Sequence, residues 1–145
     1  MSKILLTGAS GFVGQALIPR LIEKGHKVFA LSRHPPVPSK NVIPLIGDII
    51  KPDLGLDDVP KDIQAIYHLA GIHSLRMADK DGAIWQTNVV GTRNVLDTMV
   101  KHNIRKLVFT STAYSSGWEG VNPYARSKVQ NEKDIANYAD KYNLS

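Results

Sequence analysis

Tyr124 and Lys128 stand four residues apart in PYARSK, toward the end of a 145-residue chain. On a helix that spacing puts both side chains on one face. A free tyrosine titrates at about 10, too high for a base at neutral pH. A neighbouring ammonium favours the phenolate and lowers that value, which makes the pair a candidate acid/base. Upstream, FTSTA places Ser111 and Thr112 where an apolar run ends. At the C-terminal edge of an open α/β sheet, hydroxyls there can hydrogen-bond a carbonyl or alkoxide oxygen. A Tyr and a Lys at this spacing are commonly just a solvated surface pair, so the chemistry needs a second motif in the right place.

TGASGFVG supplies it, with Gly8, Gly11 and Gly14 at intervals of three. The dinucleotide fingerprint G-x-G-x-x-G has its first two glycines only two apart, so context has to decide. The loop follows the strand-like KILLTG and opens a helix-periodic run, which is the context a phosphate cradle requires. Gly8 permits a tight turn, Gly11 lets a pyrophosphate approach the backbone, and Gly14 allows close packing of the helix on the sheet. The helix start then offers free N–H groups and a positive dipole end to the phosphates. At the end of the second strand, a carboxylate would bind a ribose 2′-OH, whereas an arginine accommodates a 2′-phosphate. FALSRH has Ser32 and Arg33 and no acid, so NADP is expected over NAD.

The elements that must carry these residues alternate. KILLTG, KVFALSR, NVIPLIGD, IQAIYHLAG and KLVFTST read as strands. Helical periodicity covers FVGQALIPRLIEKG, ending at Gly25 with Pro19 inside, then GAIWQTNVVGTRNVLDTMVKHN, then PYARSKVQNEKDIANYADKY with Pro123 in its first turn. Such alternation predicts a doubly wound parallel sheet, α/β in class, with about five strands in the order 3-2-1-4-5. Cysteine is absent, so disulfides and thiolate metal sites are excluded. His68 and His73 with Asp79 or Asp81 make no four-ligand set, and no metal is expected. The net charge of +5 concentrates at Lys101, His102, Arg105 and Lys106, where cations complement a helix C-terminus and no aromatics interleave for base stacking. No nucleic acid or membrane partner is expected, because no apolar run reaches spanning length. The first residues lack a signal-peptide pattern, which makes a cytoplasmic protein the expectation.

Taken in order, these motifs resemble the short-chain dehydrogenase/reductase superfamily, in its extended or atypical branch of NAD(P)-dependent epimerases and dehydratases. TGASGFVG resembles the branch's T-G-x-x-G-x-x-G loop, which accounts for the glycine spacing and adds Ser10, Phe12 and Val13 as cofactor contacts. GDI at 47–49 resembles the segment beside the adenine and implicates Asp48 and Ile49. HLAG at 68–71 resembles the strand end lining the cofactor, with Leu69, Ala70 and Gly71. NVVGTRNVL resembles the central helix, where the matching residue is Asn88. Asn88 reads equally as a buried polar group satisfied by backbone or as a member of the site's hydrogen-bond network. FTSTA and Tyr124-x-x-x-Lys128 complete the set.

The resemblance implies an NAD(P)-binding Rossmann domain over residues 1–145, apparently truncated, without the C-terminal half of the sheet or a substrate domain. It also implies roles. Tyr124 is the acid/base, Lys128 holds the nicotinamide ribose and depresses the Tyr124 pKa, and Thr112 polarises the substrate oxygen, with Ser111 as the competing candidate. The expected function is hydride transfer to or from a small-molecule carbonyl or alcohol, as an oxidoreductase or epimerase. The alternatives are a non-catalytic NAD(P) sensor and an inactive fragment. Its partners would be that substrate and a second copy, in a homodimer through the last two helices. YSSG at 114–117 departs from the aromatic-Gly of many epimerases, which weakens the case for a nucleotide-sugar substrate.

Overall fold

Five short apolar runs become parallel strands. The computed structural model describes residues 1–73, 79, 81–113, 117, 120 and 122–145. In it β1 (Lys3–Thr7), β2 (Lys27–Ser32), β3 (Val42–Ile46), β4 (Ala65–His68) and β5 (Lys106–Phe109) form one sheet in the order β3-β2-β1-β4-β5. This is the expected order, and every pairing is parallel. Thr7, the last residue of β1, registers with Leu31 on one side and His68 on the other. The chain leaves β1 toward β2 and returns across it to β4, so the crevice above the C-terminal ends of β1 and β4 is the sheet's switch point.

Both faces of the sheet are buried, which is why its central strands read as apolar almost throughout. Along β1, Leu5 joins a cluster with Ile66, Val95, Leu96 and Met99. Ile4 and Leu6 point the other way, into a cluster with Leu21, Val28 and Ala30. The second face is covered by α1 (Phe12–Glu23), which runs through Pro19 without interruption. Gly25, at φ +78°, ends it: Gly25 N–H donates to Ile22 O at 2.9 Å and His26 N–H to Leu21 O at 3.0 Å, a Schellman closure.

The long helical stretch after β4 is less regular than its periodicity suggests. α2 (Ala83–Trp85), a π-helical turn (Gln86–Val90) and α3 (Gly91–Lys101) follow one another directly. α4 (Pro123–Tyr142) starts at Asn122, whose side-chain oxygen accepts from the N–H groups of Tyr124 and Ala125 at 2.8 and 3.3 Å. Polar contacts dock α4 on α3: Arg93 Nε donates to Asp134 at 2.6 Å, and the Tyr138 hydroxyl donates to Asp97 at 2.6 Å. At its far end, Arg105 Nη1 donates to Tyr142 O at 2.5 Å, and Lys101 pairs with Asp53. Three members of the basic cluster, Lys101, His102 and Arg105, are thus engaged in intramolecular contacts. Ser145 N–H donates to Arg105 O and Leu107 N–H to Ser145 O, both at 2.7 Å, a parallel bridge along β5. The expected turn at 115–117 falls largely outside the described residues, as does Trp118. Among the described residues no helix is long and apolar enough to cross a membrane.

Candidate active site

A groove of about 340 Å³ lies over the C-terminal strand ends. Gly8, Ser10 and Gly11 line it from the loop after β1, and Ser32 and Arg33 from the end of β2. Asp48 and Ile49 follow β3, and Leu69, Ala70 and Gly71 follow β4. All ten were expected at the cofactor.

The loop is built around its glycines. Gly8 has φ +73°, and a Cβ there would lie 2.7 Å from Ala70 N. A Cβ on Gly14 would come within 2.3 Å of Gly8 O. Gly14 therefore lets the helix fold back onto its own entry loop rather than onto the sheet. Gly11 N-caps α1 without any side-chain hydrogen bond, and no acid occupies the first turn. The helix start so presents uncapped donors and an uncompensated positive dipole end to the groove. Beyond β2, Ser32 is 9% exposed and its hydroxyl has no hydrogen-bond partner among the described residues. That orphaned hydroxyl, beside the exposed Arg33, fits an anionic ribose substituent. These features fit a bound dinucleotide.

Six expected cofactor contacts are not among the groove-lining residues: Phe12, Val13 and Gly14 in the loop and helix start, and Asn88, Tyr124 and Lys128 beyond the groove's floor. Phe12 is 92% exposed and Val13 54% exposed. Ile49 lines the groove but also packs against Gly91, so closely that a Cβ there would meet its side chain at 2.6 Å. Asp48 spends one carboxylate oxygen on the Ile50 N–H at 3.2 Å.

Beyond the groove's edge at Gly71, where a Cβ would lie 3.9 Å from Lys128 Nζ, three consecutive residues after β5 are tied to three successive turns of α4. Thr112 hydrogen-bonds the Tyr124 phenol. Thr110 O accepts from Lys128 Nζ at 2.8 Å, and the Ser111 hydroxyl donates to Glu132. Of the two candidate hydroxyls, Thr112 is thus the one at Tyr124, while Ser111 is turned toward Glu132. Lys128 is 4% exposed, with Nζ 4.7 Å from the centre of the Phe109 ring and 5.7 Å from that of Tyr124. Burial pulls its pKa down to about 8, and the Glu132 charge draws it partly back.

The expected depression of the Tyr124 pKa by Lys128 does not occur in this arrangement. Burial pushes the phenol above its ordinary value, and only the Thr112 hydrogen bond opposes it. The ammonium is held by Thr110 O instead.

Asn88 meets both of its readings at once. Its Oδ1 accepts from Ile72 N–H at 2.7 Å, and its Nδ2 donates to Ile72 O and to Ser127 Oγ, each at 3.0 Å. Ser127 Oγ in turn donates to Tyr124 O at 2.7 Å. Asn88 thereby joins the groove's floor to the start of α4. His73 was read only as a surface or metal candidate; its ring meets Tyr124 edge-on, with centroids 4.8 Å apart.

Sequence reasoning missed His34, Gly47, Ile72 and Thr87 in the groove, and Glu132 on α4. Glu132 was findable, since it continues the four-residue spacing of Tyr124 and Lys128. Thr87 was not, because it lies in the π-helical turn, which breaks the 3.6-residue period.

A switch-point groove floored by glycines and faced by an uncapped helix start is what a dinucleotide demands of an α/β sheet, and places the protein in the doubly wound, Rossmann-type class. Within that class the chain belongs to the NAD dependent epimerase/dehydratase family, whose sequence profile matches residues 4–145. It is 38% identical over 112 residues to a 2-alkyl-3-oxoalkanoate reductase of Stenotrophomonas maltophilia, covering 76% of this chain and 33% of that one. It is 26% identical over 162 residues to a UDP-glucose 4-epimerase of Corynebacterium glutamicum, covering 99% and 48%. Among solved structures, a UDP-galactose 4-epimerase superposes with a TM-score of 0.84 at 23% identity, covering 98% of this chain and 53% of that one. A mutated uronate dehydrogenase superposes with a TM-score of 0.85 at 24% identity. The chain thus spans less than half the length of these two curated relatives.

Proposed function

We propose that this chain is the cofactor-binding part of an NADP(H)-using reductase or epimerase acting on a carbonyl or alcohol. The observation that carries the reading is the convergence of Thr112, Tyr124 and Lys128 just past Gly71, at the edge of a groove that has the chemistry for an anionic nucleotide. Gly8, Gly11 and the start of α1 would hold the pyrophosphate, Asp48 and Ile49 would flank the adenine, and Ser32 and Arg33, with His34, would take the 2′-phosphate. The nicotinamide, when bound, supplies the two-electron redox chemistry.

The chain's own residues supply orientation and the proton. Thr112 directs the substrate oxygen toward Tyr124. The Tyr124 phenol, protonated at neutral pH like any tyrosine and held further from ionisation by burial, is the proton donor to that oxygen as it becomes an alkoxide. This protonation state favours the reductive direction. Lys128 keeps a positive charge beneath the site and lies within reach of a ribose hydroxyl on losing its bond to Thr110 O.

Calorimetry with NADPH and NADH tests the cofactor half of the reading. NADPH should bind more tightly, and Arg33→Asp should abolish or reverse the preference; equal affinity of the wild-type chain for both would remove the NADP assignment. A non-catalytic sensor is the competing reading, favoured by a Tyr124 phenol that burial holds protonated and a Lys128 ammonium that is bonded to Thr110 O instead of lowering it. It predicts cofactor binding with no effect of Tyr124→Phe on any activity of the full-length protein. Homodimerisation through α3 and α4, and a cytoplasmic location, are part of the same proposal; light scattering at micromolar concentration tests the dimer.

A further inference from the structure

His68 ends β4 only 1% exposed, with both ring nitrogens engaged. Nδ1 lies 2.7 Å from Thr7 Oγ1 and Nε2 lies 2.9 Å from Thr92 Oγ1. The surrounding bonds permit one arrangement of protons. Thr92 has a single hydroxyl proton, which it donates to Asn88 O at 2.6 Å. Its oxygen can then only accept from His68, so Nε2 carries hydrogen. Thr7 Oγ1 accepts from Ala70 N–H at 3.3 Å and donates its own proton to Nδ1. The ring is therefore the neutral Nε2–H tautomer. The charged group facing it is Lys128, which together with burial opposes a second proton.

The bonds on either side of this histidine converge on the groove's floor. Ala70 and Ile72 both line the groove. Ala70 is held from the β1 side, through Thr7. Ile72 is held through both its N–H and its C=O by the side chain of Asn88. Asn88 sits in the π-helical turn, and the Thr92 hydroxyl binds its backbone carbonyl.

We propose that His68 is a positioning residue: by clamping Thr7 and Thr92 together it fixes both ends of the floor segment 69–72 and sets the π-turn that aims Asn88. It touches no reacting atom. The proposal rests on the groove's being the cofactor site, and adds a residue that decides how well the groove is preformed.

Three measurements on the 145-residue chain test it. Nitrogen-15 spectra of the histidine rings near neutral pH should show His68 as the Nε2–H tautomer; an Nδ1–H or imidazolium pattern would overturn the proposal without any variant being made. Thr92→Val removes the hydroxyl with little change of shape and leaves a buried N–H without a partner, whereas Thr92→Ser retains the bond. Hydrogen exchange at the amides of Ala70 and Ile72 should accelerate at least about tenfold in Thr92→Val relative to amides of β1 and β2, with Thr92→Ser close to wild type. Equal acceleration throughout the sheet would mean mere destabilisation and would sink the clamp. Cofactor affinity should fall in parallel, by about tenfold or more in Thr92→Val and by less than about threefold in Thr92→Ser. Unchanged affinity in Thr92→Val overturns the positioning role. A wild-type chain that binds neither NADPH nor NADH, yet shows the tautomer and the exchange pattern, refutes the cofactor reading and leaves the clamp standing.

Discussion

Lys128 gives the clearest case of a single side chain whose environment changes its chemistry. Buried beside Phe109 and bonded to Thr110 O, it loses its proton in the folded chain from about 8 upward, against an ordinary value of 10.5. Between these values the unfolded chain binds more protons than the folded one, so stability rises with pH across that window. The tyrosines act in the opposite sense, since burial raises Tyr124 and takes Tyr138 up to about 12, but they enter only above about 10. Chemical denaturation between pH 8 and 10 should therefore show a rise in midpoint that Lys128→Met lacks; an identical slope in both proteins would mean that Lys128 titrates normally. Tyr124→Phe, Thr112→Val and Ser111→Ala separate the remaining roles in the active full-length protein. Loss of the transferable proton should lower kcat by about 10²–10⁴-fold with cofactor affinity nearly unchanged. Thr112→Val should follow it in the same direction, because Thr112 bonds the phenol. Ser111→Ala should stay within about threefold of wild type, since an exposed bond to Glu132 contributes little. A larger loss from Ser111→Ala than from Thr112→Val would reverse the assignment of the two hydroxyls.

The elements that hold these residues differ in how much of them could be read in advance. β1, β2 and β4 were legible because burial of both sheet faces leaves continuous apolar runs. α4 was legible from Pro123 and its period, and the order of strands followed from parallel connectivity. β5 was read too long: Lys106–Phe109 ends before the FTST segment does, and Thr110–Thr112 leave the sheet to meet α4. Nothing local signals that exit, because its cause is a contact with a helix more than ten residues later. The π-turn at Gln86–Val90 was invisible for a related reason: its sequence fits an ordinary helix, and its stabilisation comes from Thr92 and His68, which tertiary packing brings together. The glycine loop was legible in position but not in partners. Gly14 was expected to face the sheet, and instead faces Gly8 O. This gives Gly14→Ala a sharp consequence. A methyl group 2.3 Å from a backbone oxygen cannot be relieved by side-chain rotation, so α1 must shift from its loop. Overpacking of this kind costs about 1–3 kcal/mol or more. The melting temperature should fall by several degrees, and cofactor affinity should fall further than stability, because the displaced helix start is the proposed phosphate site. Loss of stability with full retention of affinity would show that the helix N-terminus holds no phosphate.

For the molecule as a whole, the groove and the Tyr124 site beside it are unequally finished. The nucleotide end is bounded by β1, β2, β3 and their loops, with buried Gly47 and Ile49 at its base and the buried Ser32 and half-buried Asp48 beside them. Among the described residues, Tyr124 on α4 is met by Thr112 and by His73, and His73, Ser111 and Ala113 are exposed. Binding and catalysis make different demands on such a surface. On the proposed reading, binding needs the phosphate, ribose and adenine contacts of residues 8–49 together with the floor at 69–72. Turnover needs a substrate held within about 3–3.5 Å of the reacting centre, a positioning effect that can supply about 7–11 kcal/mol of the barrier, and it needs water kept out. Relatives that carry out such chemistry by name are more than twice as long as this chain. The 145 residues alone should accordingly bind NADPH, weakly because the nicotinamide end stays open to water, and should show no turnover. Titration should give a measurable Kd for NADPH, while its absorbance at 340 nm stays constant over hours with simple ketones and aldehydes at millimolar concentration. Consumption of NADPH well above a protein-free control, abolished by Tyr124→Phe, would show that the exposed end is already a competent site.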